Sequence, residues 1–310
     1  MYNIVMIYTC TVNPSLDYYL KVENEIKIGE VNRSFKEHYA AGGKGVNVSI
    51  VLNNLMIPSS ALGFLGGFTK DFYLSFLNQY PYVQTRFTTI EGTTRINVKV
   101  NGKKETDLNT TGPHISDEEF NKFLKKCDRI DMDDTFILSG SIQKDLYDKM
   151  IELIERLSNN GVKIILDTNP KLMNDCLKYR PLLIKPNLDE LEEMTDEIIQ
   201  SEEKLHEVAM SLVDKGAMNV LVSLGSDGAI LANKDGLYRA NSILKDIVST
   251  TGCGDAMVGA YVFNLQRGAN DLEAFKYATA AGAATAFKEG LATREEIDSY
   301  CDEIHVERIK

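Results

Sequence analysis

The chain has 310 residues, of which 44% are hydrophobic and 25% are charged, and its formal net charge is −11. This composition is typical of a globular protein with one large α/β domain or two modest ones. The negative charge disfavours a nucleic-acid partner, and no apolar run reaches the roughly 20 residues that span a membrane. The N-terminal segment lacks a basic region and a cleavage site, so a cytoplasmic location is expected.

Apolar, strand-like segments alternate with helical segments along most of the chain. Helical patterns cover residues 143–157 and 201–215. The predicted strands are 1–8, 60–65, 135–138, 162–166, 182–184 and 219–222. Continuous β-rich runs separated by helices indicate a mainly parallel sheet that is covered on both faces. The predicted fold class is therefore α/β.

Two segments depart from this pattern because their apolar residues alternate with polar ones. They are 16–22 and 94–100, and the second leads into the turn-forming pair Asn101-Gly102. Residues 31–39 are amphipathic in a less regular way. Period-two alternation is typical of strands with one solvated face, so we predict a small separate β-sheet, the lid. Its polar face either lines a sugar or sugar-phosphate site or is only solvated, and it carries Asp17, Arg95, Asn97 and Lys99.

A glycine-rich turn at 40–47 precedes a helical pattern with apolar residues on one face. Backbone N–H groups at a helix N-terminus attract anions and polyols, and Lys44 is a candidate phosphate contact. Lys44 is followed by Gly45 rather than Ser or Thr, so this turn is not a Walker A loop. Asn47 could offer a donor and an acceptor to sugar hydroxyls. An ordinary strand-to-helix turn with a surface lysine remains the alternative.

Two further turns follow predicted strands and leave alternatives open. Asn187 and Glu190 stand three residues apart at a predicted helix start, which is the spacing of an N-terminal capping box. The same pair could hold water molecules around Mg²⁺. The turn at 223–229 could let the backbone approach a nucleotide phosphate, or it could form a tight hairpin.

The segment 251–260 combines two glycines, a carboxylate and a helix of small residues. Gly252 and Gly254 allow a turn whose amides point at one spot, and the helix dipole adds positive potential there. A carboxylate in such an anion site is explained if Asp255 is a general base beside a transferring phosphate. An ordinary acidic residue in a first helical turn is the alternative. A dinucleotide-binding motif is disfavoured, because it belongs in the first strand-to-helix turn, where this chain has no glycine.

Together these motifs resemble the ribokinase-like (phosphofructokinase B type) sugar kinase family almost from end to end, and its 1-phosphofructokinase branch most of all. The segments that carry the resemblance are 11–17, 42–47, 94–97, 185–190, 223–228 and 252–255. The resemblance implies a single kinase domain over 1–310 with three α/β/α layers and a mainly parallel central sheet. It also implies a discontinuous β-lid from approximately 15–40 and 92–111, which packs against a second subunit in a homodimer.

The activity that the resemblance implies is phosphorylation of fructose 1-phosphate by ATP, with Mg²⁺ as cofactor and fructose 1,6-bisphosphate as product. Tagatose 6-phosphate is the near alternative substrate. A non-catalytic sugar-phosphate sensor is the alternative from a different functional class.

The resemblance also implies a role for each motif residue. Asp255 is implied as the base, with the backbone N–H groups of Gly252, Cys253 and Gly254 around the γ-phosphate. The implied substrate-binding residues, among which Lys44 and Arg95 would meet the phosphate already on the sugar, are Asp17, Gly42, Gly43, Lys44, Asn47, Arg95 and Ser139. The implied ATP-binding residues are Lys185, Asn187, Ser223, Gly225 and Gly228. Asn187 and Glu190 would organise Mg²⁺ and its waters.

Overall fold

The structure is a computed structural model that describes residues 5–309. Within this part of the chain, strands and helices alternate as the sequence predicts. The strands are β1 Ile7–Thr11, β2 Ser15–Lys21, β3 Lys36–Gly42, β4 Ser59–Gly66, β5 Val83–Thr85, β6 Thr88–Ile90, β7 Arg95–Asn101, β8 Glu105–Leu108, β9 Thr135–Gly140, β10 Lys163–Thr168, β11 Leu183–Ile184, β12 Asn219–Ser223, β13 Ala229–Asn233, β14 Gly236–Ala240 and β15 Val306–Arg308. The helices are α1 Lys44–Asn54, α2 Thr69–Leu77, α3 Asp117–Cys127, α4 Tyr147–Asn159, α5 Pro170–Asp175, α6 Leu188–Thr195, α7 Glu202–Asp214, α8 Cys253–Gln266, α9 Asp271–Ala286 and α10 Arg294–Cys301.

The central sheet has the strand order β15-β14-β13-β12-β11-β10-β9-β1-β4-β5, and β6 also pairs with β4. The pairs from β12 to β5 are parallel, and β12 to β15 are antiparallel. The predicted strands 60–65 and 135–138 lie inside β4 and β9, whose residues are almost all buried. Strands covered on both faces are continuously apolar, which is why the sequence revealed them. The predicted α/β fold class is confirmed.

Two hydrophobic cores lie on opposite faces of this sheet. In β9, Phe136 and Leu138 contribute to one core and Ile137 to the other. This alternation follows from the strand geometry, in which successive side chains point to opposite faces. The second core includes α8, whose residues 255–263 are all buried between α1 and α9. Among residues 5–309, no helix combines the length and the apolar character needed to traverse a bilayer.

The second sheet is the lid, and its strand order is β3-β2-β7-β8. β2 is antiparallel to β3 and parallel to β7, and β7 turns at Asn101-Gly102 into β8. The predicted strands 16–22 and 94–100 match β2 and β7 to within one residue at each end. The prediction for 31–39 is wrong in its first half, because β3 begins only at Lys36. Lys36 pairs with Lys21, which is the last residue of β2.

The remaining predicted boundaries shift by a few residues. The first strand begins at Ile7 rather than at residue 1, and the prediction for residues 1–4 lies outside the described residues. The predicted helix 143–157 begins as a 3₁₀ turn at Lys144–Leu146 before α4. Helix ends are where such differences are expected, since the last turns adopt mixed geometry.

Candidate active site

A cleft of about 1280 Å³ lies between the lid and the carboxyl ends of the parallel strands. This edge of an α/β sheet is where ligands bind. Most of the residues singled out in the sequence line the cleft, although they come from distant motifs. They are Asp17, Gly43, Lys44, Asn47, Arg95, Lys185, Asn187, Glu190, Ser223, Gly225, Gly228, Gly252, Cys253, Gly254 and Asp255.

Two of the predicted residues, Gly42 and Ser139, do not line the cleft. Gly42 lies behind Asp17, and a Cβ atom at this position would overlap the Asp17 carboxylate. The Ser139 hydroxyl is buried and has no hydrogen-bond partner among residues 5–309, while the neighbouring Gly140 and Ser141 face the cleft.

Helix α8 begins at the floor of the cleft. Its N-cap is Gly252, whose φ of 83° lies in the left-handed region that favours glycine. A Cβ atom there would come within 2.6 Å of Cδ2 of Leu291, so the position also lacks space for a side chain. The first amides of a helix have no partner within the helix and carry the positive end of its dipole. The turn at Gly252, Cys253 and Gly254 can therefore bind an anion.

Asp255 lies in the first turn of α8 and is only 4% exposed. Burial, together with the negative charge of Asp167, raises the pKa of Asp255 to about 7. Nδ2 of Asn47 opposes this shift by donating a hydrogen bond of 2.8 Å to Oδ2 of Asp255. A carboxyl group that titrates near neutral pH is suited to take up and release a proton. By contrast, burial raises the pKa of the Cys253 thiol to about 11, which keeps the thiol neutral.

Asp167, near the end of β10, joins two cations beside the first turn of α8. Its Oδ1 lies 3.1 Å from Nζ of Lys44 and 3.4 Å from Nζ of Lys185. Although burial favours the neutral acid, these two ammonium groups lower the pKa of Asp167. Oδ2 of Asp167 is buried without a hydrogen-bond partner among the described residues. Asp167 was not among the site residues expected from the sequence, where its one signal was an acid just beyond the predicted strand 162–166.

The two lysines differ in their surroundings. Lys44 is partly exposed and also lies 3.7 Å from Oε1 of Glu190. Burial disfavours its charge, yet the carboxylates of Asp167 and Glu190 raise the pKa of Lys44. Lys185 is 3% exposed, and a Cβ atom at Gly254 would lie 2.8 Å from its Nζ. The Lys185 ammonium group therefore lies directly against the first turn of α8.

The turns at 187–190 and 223–229 both have a defined local structure. Asn187 and Glu190 form a capping box for α6, in which Oδ1 of Asn187 accepts from the Glu190 amide at 2.8 Å and Oε2 of Glu190 accepts from the Asn187 amide at 2.9 Å. The turn at 223–229 joins β12 and β13 as an antiparallel hairpin. Both turns nevertheless line the cleft, so a structural role and a binding role are compatible.

The lid contributes a second set of polar groups. Asp17 is buried, and its Oδ1 accepts from Oγ of Ser15 at 2.7 Å and from Nδ2 of Asn97 at 3.0 Å. Burial raises the pKa of Asp17, against the effect of these hydrogen bonds. The guanidinium group of Arg95 donates to two backbone carbonyl groups, those of Asn13 and Thr110. Arg95 therefore ties the lid to the segment that follows β8.

Comparison with known proteins places these features in one family. Residues 9–298 match the family model of the pfkB family carbohydrate kinases. The 1-phosphofructokinase of Borreliella burgdorferi is 38% identical over 98% of this chain and 99% of its own length. The D-tagatose-1-phosphate kinase of Bacillus licheniformis is 36% identical over 97% of this chain and 99% of its own length. A crystal structure of Escherichia coli phosphofructokinase-2 in complex with substrates and products superimposes with a TM-score of 0.92, at 25% identity over 96% of this chain and 99% of that one. The chain therefore belongs to the pfkB family of carbohydrate kinases, as the sequence motifs implied.

Proposed function

We propose that this chain transfers the γ-phosphate of ATP to the 6-hydroxyl of fructose 1-phosphate, giving fructose 1,6-bisphosphate and ADP. The observation that carries the proposal is the buried Asp255 carboxyl, which lies in the first turn of α8 and accepts a hydrogen bond from Asn47. Membership of a carbohydrate kinase family implies ATP as the donor. The relatives named 1-phosphofructokinase support the acceptor.

Asp255 is the proposed general base. Its carboxylate accepts the proton of the 6-hydroxyl while that oxygen forms a bond to the γ-phosphorus. The bond between this phosphorus and the oxygen that bridges to the β-phosphate breaks, and ADP leaves with that oxygen. A pKa of about 7 provides both the ionised form before the reaction and a stable neutral form after it.

The proposed charge stabilisation comes from backbone amides and two lysines. The amides of Gly252, Cys253 and Gly254 would face the phosphate oxygens, over which negative charge spreads during transfer. Lys185 lies against the same turn. For Lys44 we propose the transferred phosphate rather than the phosphate already on the sugar, because its ion pairs with Asp167 and Glu190 hold it at the reaction centre.

The donor set also fits the Mg²⁺ ion that accompanies ATP. In the capping box only Oε2 of Glu190 is used, and Oδ2 of Asp167 has no partner among the described residues. Mg²⁺ keeps several waters and takes one or two carboxylates together with phosphate oxygens. Asp167, Glu190 and Asn187 would hold such a hydrated ion, which when bound would neutralise part of the phosphate charge.

Tagatose 1-phosphate is the alternative acceptor. The tagatose-linked relatives are named for tagatose 1-phosphate, whereas the alternative expected from the motifs was tagatose 6-phosphate. Tagatose 1-phosphate and fructose 1-phosphate carry the phosphate at the same end and the reacting hydroxyl at the other. They differ only in the configuration at C4, so the two reactions place identical demands on Asp255.

We propose a homodimer in which the apolar face of the lid is covered by a second copy. Tyr18 and Tyr39 stack on this face with ring centroids 4.3 Å apart, and Tyr39 contacts Phe72 of α2 edge to face at 5.5 Å. Leu20 is only half-buried. Exposed aromatic groups in one patch are typical of protein interfaces. Light scattering should give a dimer for the wild type and a monomer for Leu20→Lys, and a monomeric wild type would contradict the proposal.

We propose that 1–310 act as one kinase domain, with the lid taken from 15–40 and 92–111, because the lid and the central sheet line the same cleft. A cytoplasmic location agrees with the intracellular supply of ATP.

The first test is ADP release with Mg-ATP and one of four acceptors: fructose 1-phosphate, tagatose 1-phosphate, tagatose 6-phosphate or fructose 6-phosphate. We expect fructose 1-phosphate to have a kcat/KM at least about tenfold above the others. A preference for either tagatose phosphate would keep the mechanism and replace the substrate. Failure of all four would favour the sensor.

The second test is Asp255→Asn. We expect kcat to fall by about 10²–10⁴ while the Kd for the sugar phosphate stays close to that of the wild type. The matched control is Asp117→Asn, an exposed acid in the first turn of α3. Wild-type turnover in Asp255→Asn would remove the catalytic assignment.

A further inference from the structure

Two sets of charged groups in the cleft surround Asp255 and Asp17, while Lys245 and Asp246 also line the cleft. At the reaction centre, Lys44 and Lys185 are paired with Asp167. At the lid, the charges that act on Asp17 are those of Lys99 and Arg95. A ketohexose 1-phosphate whose 6-hydroxyl reaches Asp255 carries its own phosphate at the opposite end. Its phosphate therefore needs a cation of the lid set.

The two cations of the lid set differ in what holds them: backbone carbonyl groups for Arg95 and an exposed carboxylate for Lys99. Arg95 already donates to two backbone carbonyl groups, those of Asn13 and Thr110. Lys99 follows Arg95 and Asn97 on the same face of β7, and its Nζ has Asp107 as its hydrogen-bond partner, at 2.7 Å. An ammonium group has three donors, so two of them remain for a ligand.

The Lys99 side chain is more buried than that of its partner, Asp107. The Lys99 side chain is 13% exposed, and its Nζ lies 6.0 Å from the centre of the Tyr19 ring. The Asp107 side chain is 44% exposed and belongs to β8, whose residues are all exposed. Exposed ion pairs are weak, so a phosphate dianion can replace the carboxylate without a large cost.

We propose that Lys99 binds the phosphate already present on the sugar and thereby selects a sugar phosphate over the free sugar, with Asp107 as its exchangeable counter-ion. This inference rests on the proposed function, since it takes a ketohexose 1-phosphate as the acceptor. Asp17 lies opposite Asn97, two residues before Lys99 on β7, and both side chains would meet sugar hydroxyls.

The test compares Lys99→Met with Asp107→Asn. With fructose 1-phosphate and saturating Mg-ATP, Lys99→Met should raise KM by about 10–100-fold, the effect of losing a charge-assisted hydrogen bond. Its kcat/KM for unphosphorylated fructose should stay at the wild-type value. Asp107→Asn removes the competing carboxylate, so KM for fructose 1-phosphate should stay the same or fall. The control is Lys104→Met, an exposed lid lysine that pairs with Glu25.

A purely structural ion pair gives a different pattern, because either variant breaks it. Equal losses in Lys99→Met and Asp107→Asn, for both acceptors, would overturn the proposal. So would a KM for fructose 1-phosphate in Lys99→Met within threefold of the wild-type value. If the wild type phosphorylates no sugar phosphate, the proposed function fails separately. Calorimetric Kd values of fructose 1-phosphate for the wild type and Lys99→Met then decide the role of Lys99, and absent or equal binding overturns it.

Discussion

Replacing Asn47 with alanine is expected to move the acidic limb of the pH profile to higher pH. Nδ2 of Asn47 donates a hydrogen bond of 2.8 Å to Oδ2 of Asp255, and this bond favours the ionised carboxylate. A hydrogen bond to a charged group contributes about 1.5–3 kcal/mol net, and one pKa unit corresponds to about 1.4 kcal/mol. Loss of the donor should therefore raise the pKa of Asp255 by about 1–2 units. The wild-type value from which this rise starts is about 7.

The rate consequence can be worked out at pH 7. The ionised fraction of Asp255 falls from about one half to between about one tenth and one hundredth, so kcat/KM falls about 5–50-fold. Near pH 9.5 the two enzymes should approach each other. The assay is kcat/KM for fructose 1-phosphate from about pH 5.5 to about pH 9.5, which reports the titration of the free enzyme. Titration of the substrate phosphate affects both enzymes equally and cancels in the comparison.

The control is Asn53→Ala on the same helix. The Asn53 side chain accepts a hydrogen bond from the Tyr82 amide, outside the cleft. An acidic limb in Asn47→Ala that coincides with that of the wild type, or that lies at lower pH, would refute the reasoning. A KM increase that is the same at every pH would refute it too, because Asn47 would then act on the sugar alone.

Three further predictions follow from contacts in the cleft. Gly254→Ala places a Cβ atom 2.8 Å from Nζ of Lys185, so the ammonium group must move, and kcat should fall at least about tenfold with an unchanged circular dichroism spectrum. A wild-type kcat would contradict this role of Lys185. Gly42→Ala displaces the Asp17 carboxylate, so KM for the sugar should rise by about tenfold while kcat stays within about threefold. An unchanged KM would remove Asp17 from the sugar site. Asp255→Asn should raise Tm more at pH 8 than at pH 5, as measured by calorimetry. The pKa of Asp255 is raised in the fold, so ionisation destabilises the native state as the pH rises from about 4 to about 7, and the amide avoids that cost. A Tm change that is the same at both pH values would contradict the raised pKa.

The sequence predicted the elements whose burial pattern is simple. The run 60–65 lies inside β4 because both faces of that strand are covered, so no polar residue interrupts it. The alternation in 16–22 identified β2 because one face of the lid is wet. The segment 31–39 was predicted poorly, since strand formation there depends on the length of the partner strand, β2, which ends at Lys21.

The sequence allows prediction of those candidate site residues that lie next to one another along the chain. The turn around Asp255 could be recognised because its glycines and its carboxylate are adjacent in sequence. Asp167 could not, because its partners Lys44 and Lys185 come from other turns and meet it only in the folded chain. The hydrogen bonds of Arg95 to the Asn13 and Thr110 carbonyls are invisible for the same reason.

The burial of α8 separates the proposed general base, Asp255, from the lid residues proposed to bind the phosphate of the sugar. The helix that carries Asp255 is enclosed over residues 255–263, so substitutions there would disturb the hydrophobic core as well as the reaction. The polar face of the lid lies on a sheet of its own, where Lys99 and Asp107 can change without repacking either core. With these proposed roles, new acceptor specificities are expected to evolve through a few lid substitutions, while α8 is inherited unchanged.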